Sequence, residues 1–430
     1  MNPPNRQKPT LNLTVIGLMN NTENRFDSNL QSIIKNTPLI LTSKRNLSKL
    51  TNQFDFSDKQ IHYFDPDYFK ALEAFSKIKS DKIIFASGDP GYFGALRSVK
   101  HYFFDHNIAC YPVDSSVSLA FSLLAEPWDD ATVISTLGRP LFPVMNAVAQ
   151  SPKSAVLCTK NLPPNELAEQ LAQQCDFKLL SNRRYFVMSN LDKDPVVTKY
   201  TFKALTASKI TTDSILLILP KSLPSNKNVM DSQLLPKPQI ANNLPSKQIV
   251  FGQSIDAYKT VRSMITKPEV RAIVLSKLNL ENGKNLLEIG AGSGSISIEA
   301  IKLAPLMRVI SFERDPVAYA NLRQNMKNHN VVFETYLGDF YEHKEKLPKA
   351  DAVLIGGGKL ERLNRLFKHA NPGATVVGVF ASLDRAQKLA KILGNLIQVN
   401  INAGKFFADN TLHLTAHNPV FIVWGQNNPT

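Results

Sequence analysis

The chain is poor in the residues that staple small folds or hold metals, with three cysteines and eight histidines in 430 residues. Cys110, Cys158 and Cys175 form no C-x-x-C pair and are odd in number. That argues against a disulfide framework and against a cysteine zinc site. Each cysteine is expected to fill a small apolar space. The histidines are scattered, and no metal site is indicated. Apolar runs are also short. None reaches the roughly 20 residues that a membrane-spanning helix requires, and the start, residues 1–10, is polar and proline-rich with no apolar signal core. It reads as a disordered tail on a cytoplasmic protein. Nor is there a run of five basic residues, or an interleaving of aromatic and basic side chains of the kind that grips single-stranded nucleic acid.

What is present is length, an ordinary apolar fraction and positive charge. At 430 residues the chain suits two or three domains, and its 43% apolar content is that of a globular protein. A net charge of +14 suits nucleic acid, an anionic membrane or a polyanionic small substrate, against a background of lysines on a solvated surface. Strands alternate with helical segments from Leu11 onward, which predicts α/β layers. Prolines 220, 224, 236, 238 and 245 stand among Ser, Asn and Lys. This composition predicts a linker over 221–248, separating a domain at 11–220 from one at 249–430.

The most informative stretch is Asn285–Glu299. Leu286, Leu287 and Ile289 form a short apolar run fit for a buried parallel strand, and Gly290, Gly292 and Gly294 follow at every second position. Glycines there allow a sharp turn and let a ligand lie against bare backbone. Ser295–Ala304 has helical periodicity, so a helix N-terminus would face that ligand. A dinucleotide loop, G-x-G-x-x-G, would need a third glycine at 295, where Ser295 stands. The spacing is instead E-x-G-x-G-x-G from Glu288. Glu313 ends the next strand, Gly338 and Asp339 follow the third, and Gly356, Gly357 and Gly358 follow the fourth. A carboxylate at 313 can accept hydrogen bonds from both hydroxyls of a ribose.

This pattern resembles the class I S-adenosylmethionine (SAM)-dependent methyltransferases. Ahead of it, M-x-T-K-x-E-V-R-A at Met264–Ala272 predicts a helix with Thr266 as N-cap, Pro268 in its first turn and Glu269 at the capping-box position. That segment, Glu313-Arg-Asp-Pro316 and Asn418-Pro-Val-Phe-Ile422 are similar to methyltransferases acting at C15 of a reduced tetrapyrrole with loss of a carboxyl group. In the first half, Ser87-Gly-Asp-Pro90 with Gly94, then Pro112 to Ser115-Ser116 and Ala120, then Pro127-Trp-Asp-Asp-Ala131 and Gly138-Arg139, resemble the tetrapyrrole methylase family and its C5-methylating branch. One departure stands out. That family opens its first strand into a glycine-proline-glycine loop, whereas here only Gly17 is kept in Gly17-Leu-Met-Asn-Asn-Thr-Glu-Asn24.

Together the halves resemble the fused precorrin-6Y C5,15-methyltransferases (decarboxylating) of cobalamin biosynthesis. The resemblance implies a tetrapyrrole methylase fold of two α/β subdomains followed by a Rossmann-like methyltransferase domain. It implies SAM as cofactor, methylation at C5 and C15 with decarboxylation of the C12 acetate to give precorrin-8X, and a homo-oligomer. The partner would be an anionic precorrin rather than nucleic acid or membrane. SAM would meet Gly88, Asp89, Pro90, Ser115 and Ser116 in the first domain. In the second it would meet Glu288, Gly290, Gly292, Gly294, Glu313, Gly338 and Asp339. Thr266, Lys267, Arg271 and Gly357 would border the substrate, with Lys267, Arg271 and Lys359 as partners for its carboxylates. Three alternatives stay open: activity in the second domain alone, an RNA or other acceptor, and a SAM-responsive protein with a decayed first domain.

Overall fold

Short apolar runs become the inner strands of parallel sheets. Residues 11–19, 26–191, 193–221, 251–343, 346–357, 360–407 and 410–428 are described, from a computed structural model. The expected tail, all but the first residue of the expected linker, the segment 20–25, Gly358 and Lys359 lie outside the described residues.

The first sheet holds β1 (Leu11–Leu18), β2 (Leu39–Thr42), β3 (Gln60–Tyr63), β4 (Lys82–Ser87) and β5 (His106–Tyr111), in the order β3-β2-β4-β1-β5. All four of its strand pairings are parallel. Such a sheet is buried on both faces, and the residues show it. Ile16, Leu18, Ile83 and Phe85 pack on one side, while Leu13, Val15, Leu41 and Ile84 pack on the other. A second sheet holds β6 (Thr132–Ser135), β7 (Ser154–Cys158), β8 (Arg183–Ser189), β9 (Val196–Tyr200) and β10 (Ser214–Pro220), in the order β6-β7-β10-β8-β9.

The third sheet has seven strands: β11 (Asn285–Ile289), β12 (Arg308–Glu313), β13 (Glu334–Leu337), β14 (Ala350–Ile355), β15 (Ala370–Phe380), β16 (Asn395–Val399) and β19 (Val420–Gln426). The remaining strands β17 (Asn402–Phe406) and β18 (Leu412–Ala416) form a separate antiparallel ribbon. The order β13-β12-β11-β14-β15-β19-β16 begins in the middle, moves outward through β12 to β13, then returns to the other side of β11. That reversal is a topological switch point, where open α/β sheets place ligands at the carboxyl ends of their strands. Leu286 and Leu354 enter one core with Val270, Val274 and Ile298. Leu287, Ile289, Val353 and Ile355 enter the other.

The chain divides into two compact units. One is Met1–Asp129 with Phe186–Lys199 and Thr212–Leu217, and the other is Asp130–Tyr185 with Tyr200–Thr211 and Ile218–Thr430. All three cysteines are free. Cys158 and Cys175 are buried as expected, but Cys110 is exposed on β5, at the rim of the first sheet. No helix among the described residues is long and apolar enough to cross a membrane.

Candidate active site

The glycine loop follows β11 at the switch point, and its close fit to the neighbouring crossover defines the site. Gly290, Gly292 and Gly294 all have left-handed backbone, with φ of 77°, 56° and 75°. At Gly290 a side chain is also sterically impossible. A Cβ there would lie 2.7 Å from both Cα and N of Gly357, the turn that leaves β14. The two turns share one anchor, since the Gly356 and Gly357 amides both donate to the Ile289 carbonyl, at 2.9 and 3.1 Å. Gly294 is the N-cap of the helix Ser295–Leu303, so that helix's first amides face the loop.

Glu313 ends β12 and is nearly buried. Its carboxylate accepts from the Gly292 amide at 2.7 Å and from the Asp315 amide at 2.8 Å. These bonds fix the carboxylate at the mouth of the loop. Each oxygen keeps a second lone pair for a ligand hydroxyl. Gly338 donates its amide to the Glu313 carbonyl, and Asp339 accepts from the Tyr341 amide at 2.9 Å, ordering the next turn. A cavity of about 420 Å³ collects Gly290, Gly292, Glu313, Gly338, Asp339 and Gly357. Thr260, Val261 and Met264 close it from the segment that precedes the domain's first helix. A second cavity of about 580 Å³ shares Met264, Gly290, Gly292, Ser293 and Gly356 with the first, and continues past Thr266, Lys267 and Glu288 to His417 and Asn418.

Two expected roles are corrected. Arg271 lies on the wall of neither cavity and is fully buried. Its Nε donates to Glu299 at 2.9 Å, and its terminal nitrogens donate to the Thr266 and Gln253 carbonyls. Thr266 is not the N-cap of the helix Pro268–Lys277. Lys267 is, without a side-chain hydrogen bond, which places Glu269 one position too early for a capping box. Pro268 does occupy the first turn. Thr266 and Lys267 keep their place on the wall of the second cavity.

Glu288 sits behind the loop, buried, with one oxygen accepting from the Ser297 and Ser311 hydroxyls. Loss of solvent outweighs those two bonds and pushes its carboxyl up to about 7. Because the folded-state pKa is raised, the folded protein holds a proton that the unfolded chain gives up. The stabilisation is therefore complete below the ordinary carboxylate pKa and is lost as pH rises through about 7. Glu288→Gln removes this dependence. Relative to wild type, it is expected to gain about 2–3 kcal/mol of stability between about pH 5 and about pH 8, measured by urea unfolding at both.

In the first sheet, Gly88 turns left-handed, with φ of 68°, as the chain leaves β4. Its amide donates to the Leu18 carbonyl at 2.8 Å, and Asp89 accepts from the Gly91 amide at 2.8 Å. Gly17 lies against this turn, where a Cβ would come within 2.6 Å of the Gly88 carbonyl and 2.9 Å of Pro90. Gly94 presses on the same turn from the other end of the loop. Ser115 is buried and caps the helix Ser116–Ser122, accepting from the Ser118 amide at 3.0 Å and donating to the Ser118 hydroxyl. Ser116 is exposed.

Sequence reading missed Thr260, Val261, Asn321 and His417 as cavity residues. The first two lie in a segment without helical or strand periodicity, and His417 lies in the short connection between the ribbon strand β18 and the inner strand β19. His413 and His417 stand four apart, but on and just beyond β18 rather than on one helix face. Among the described residues no group of three or more His, Cys, Asp or Glu side chains could hold a metal ion.

Residues 256–422 match the precorrin methyltransferase domain family. A Sinorhizobium protein named precorrin-6Y C(5,15)-methyltransferase [decarboxylating] is 27% identical over 90% of this chain and 90% of its own length. A Salmonella typhi cobalt-precorrin-6B C(15)-methyltransferase (decarboxylating) is 31% identical, covering 37% of this chain and 87% of the relative. Among solved structures, a Geobacter metallireducens precorrin-6Y C5,15-methyltransferase is 32% identical over 41% of this chain and 97% of its own, with a TM-score of 0.38. The chain belongs to the family of decarboxylating precorrin methyltransferases and is itself a methyltransferase.

Proposed function

We propose that the chain transfers methyl groups from SAM to C5 and C15 of precorrin-6Y and removes the carboxyl group of the C12 acetate, giving precorrin-8X in cobalamin biosynthesis. Residues 11–220 would carry the C5 reaction and residues 249–430 the C15 reaction and the decarboxylation. The observation that carries the reading is the pair of joined cavities at the switch point. The smaller has a fixed carboxylate and a bare glycine turn, and the larger opens beside Lys267 and His417. In this assignment Glu313 accepts from the ribose hydroxyls, Gly338 and Asp339 lie along the adenine, and Gly290, Gly292 and Gly294 leave room for the methionyl part. Bound SAM supplies a methyl group on a sulfonium, already a good leaving group. The protein's task is then to hold the acceptor carbon in line at the shared wall of the two cavities, and positioning of that kind contributes about 7–11 kcal/mol. Lys267 stands where it can pair with a substrate carboxylate. The conjugated macrocycle can take the electron pair released when carbon dioxide leaves.

The test is to incubate the purified protein with SAM and precorrin-6Y and to weigh the product. Two methyl groups gained with carbon dioxide lost supports the full reading. One methyl gained with carbon dioxide lost limits the activity to the second half. No change in a protein that still binds SAM removes the precorrin assignment. For the cofactor site, Glu313→Ala is expected to weaken SAM binding by about 1–3 kcal/mol, since a charge-assisted bond and the support of the Gly292 amide go together. Unchanged affinity by calorimetry would remove Glu313 from the site.

A further inference from the structure

A single buried amide joins the two walls of the smaller cavity. Asn325 lies on the helix Pro316–Asn328 and is fully buried. Its Oδ1 accepts from the Lys259 amide at 2.8 Å, and its Nδ2 donates to the Lys259 carbonyl at 2.9 Å. The side chain thus pairs with residue 259 as a neighbouring strand would. The same Nδ2 donates at 2.9 Å to the carbonyl of Ser293, inside the glycine loop. Lys259 directly precedes Thr260 and Val261, which line one wall of the cavity, and Ser293 lines the other.

The wall so held is not at rest by itself. Arg262 and Ser263 both take left-handed backbone, with φ of 48° and 55°, in a tight reversal that brings Val261 and Met264 together as a β-bridge. Side-chain-bearing residues adopt this conformation only at a cost in backbone strain, so the surrounding contacts must impose it. Asn325 supplies two of those contacts at Lys259, and His329 of the same chain region supplies another through its 2.9 Å bond to the Ala257 carbonyl. Tyr258, between them, stacks on the His329 ring with centroids 4.7 Å apart.

The geometry points to Asn325 as a positioning residue for the methyl donor. It touches no ligand; it sets the separation between the Thr260–Met264 wall and the glycine loop, and so the width of the cleft that receives SAM. This rests on the assignment of SAM to that cavity. Asn427, just past the end of β19, offers a comparison. Asn427 is also buried and its Nδ2 also bridges main-chain carbonyls, those of Phe367, Ala370 and Asn371, but it lines neither cavity.

The experiment measures SAM dissociation constants and melting temperatures for wild type, Asn325→Ala, Asn325→Asp and Asn427→Ala, all in the full chain. Asn325→Asp keeps the acceptor for Lys259 but loses both donated bonds, so it remains informative if the alanine variant does not fold. The expected result is a rise of about tenfold or more in the SAM dissociation constant for the Asn325 variants, from the two (Asp) or three (Ala) hydrogen bonds lost at the cleft wall. Asn427→Ala lowers the melting temperature as well, but leaves SAM affinity at the wild-type value. Folded Asn325 variants with wild-type affinity overturn the inference, and so does an equal loss of affinity in Asn427→Ala, which would reduce both residues to general stability. Wild-type protein that binds no SAM overturns the functional assignment instead, and the two failures are thereby distinct.

Discussion

Gly290→Ala is expected to raise the SAM dissociation constant by on the order of a hundredfold, and Gly292→Ala by far less. Both positions have left-handed backbone, so both variants carry the conformational strain of about 1–2 kcal/mol that a Cβ brings there. They differ in space. Around Gly292 nothing lies within 4 Å of a built Cβ. At Gly290 the new methyl would meet Cα and N of Gly357 at 2.7 Å, and both are backbone atoms that cannot rotate aside. The only relief is to move the β11 turn away from the β14 turn. That breaks the shared anchor on the Ile289 carbonyl and changes the wall common to both cavities. Titration calorimetry on the two variants separates the causes. Equal losses would mean that strain alone matters and that the close approach of the two turns can relax.

The loop, its strand and the acidic residue on the next strand were legible because each obeys a short-range rule. A short apolar run followed by glycines reads as an inner parallel strand; β11 contains the run Leu286–Ile289, and β12 ends at Glu313 as expected. The α/β class followed from alternation in the same way. What was not legible depends on contacts far apart in the chain. The segment 251–267 has no periodicity of its own, and it takes its place on the cavity because Glu299 and Asn325, on two different helices, bond its backbone. The partly exposed strand β3 and the largely exposed strand β9 carry no long apolar run, so neither stands out from its neighbours. The capping role of Ser115 was not legible, because a serine before a helix has the same signature whether it caps the helix or faces a ligand. Arg271 was misread because a basic residue on a helix is normally solvated. Here it lies beside Val270 and one turn from Val274 and Leu275, on the buried stripe of its helix. That placement in the pattern was the available signal.

The second large effect follows from that burial. Arg271→Ala is expected to destabilise the fold by about 3–5 kcal/mol, because removing one member of a buried ion pair leaves the other charged and unpaired. Glu299 is fully buried and accepts from four donors: the Gly252 amide at 2.8 Å, the Gln253 amide at 3.1 Å, the Tyr258 hydroxyl at 3.0 Å and Arg271 Nε at 2.9 Å. Arg271 in turn holds the carbonyls of Gln253 and Thr266, and its guanidinium lies over the Tyr258 ring at 5.1 Å. Lysine cannot replace it, since one ammonium cannot reach three acceptors with the spread of a guanidinium fork. Arg271→Lys should therefore recover little of the lost stability. Nor should an apolar double replacement of Arg271 and Glu299 rescue the fold, as it can for an isolated buried pair. The two amides and the tyrosine hydroxyl that now end on Glu299 would be left buried without acceptors. Urea unfolding measures the stability, and the Michaelis constant for precorrin measures the alternative. Should Arg271→Ala keep wild-type stability and raise only that constant, the arginine would be a ligand for substrate carboxylates after all. The expected pattern is the reverse, with Lys267→Ala, on the open wall of the larger cavity, weakening substrate binding while leaving the fold intact.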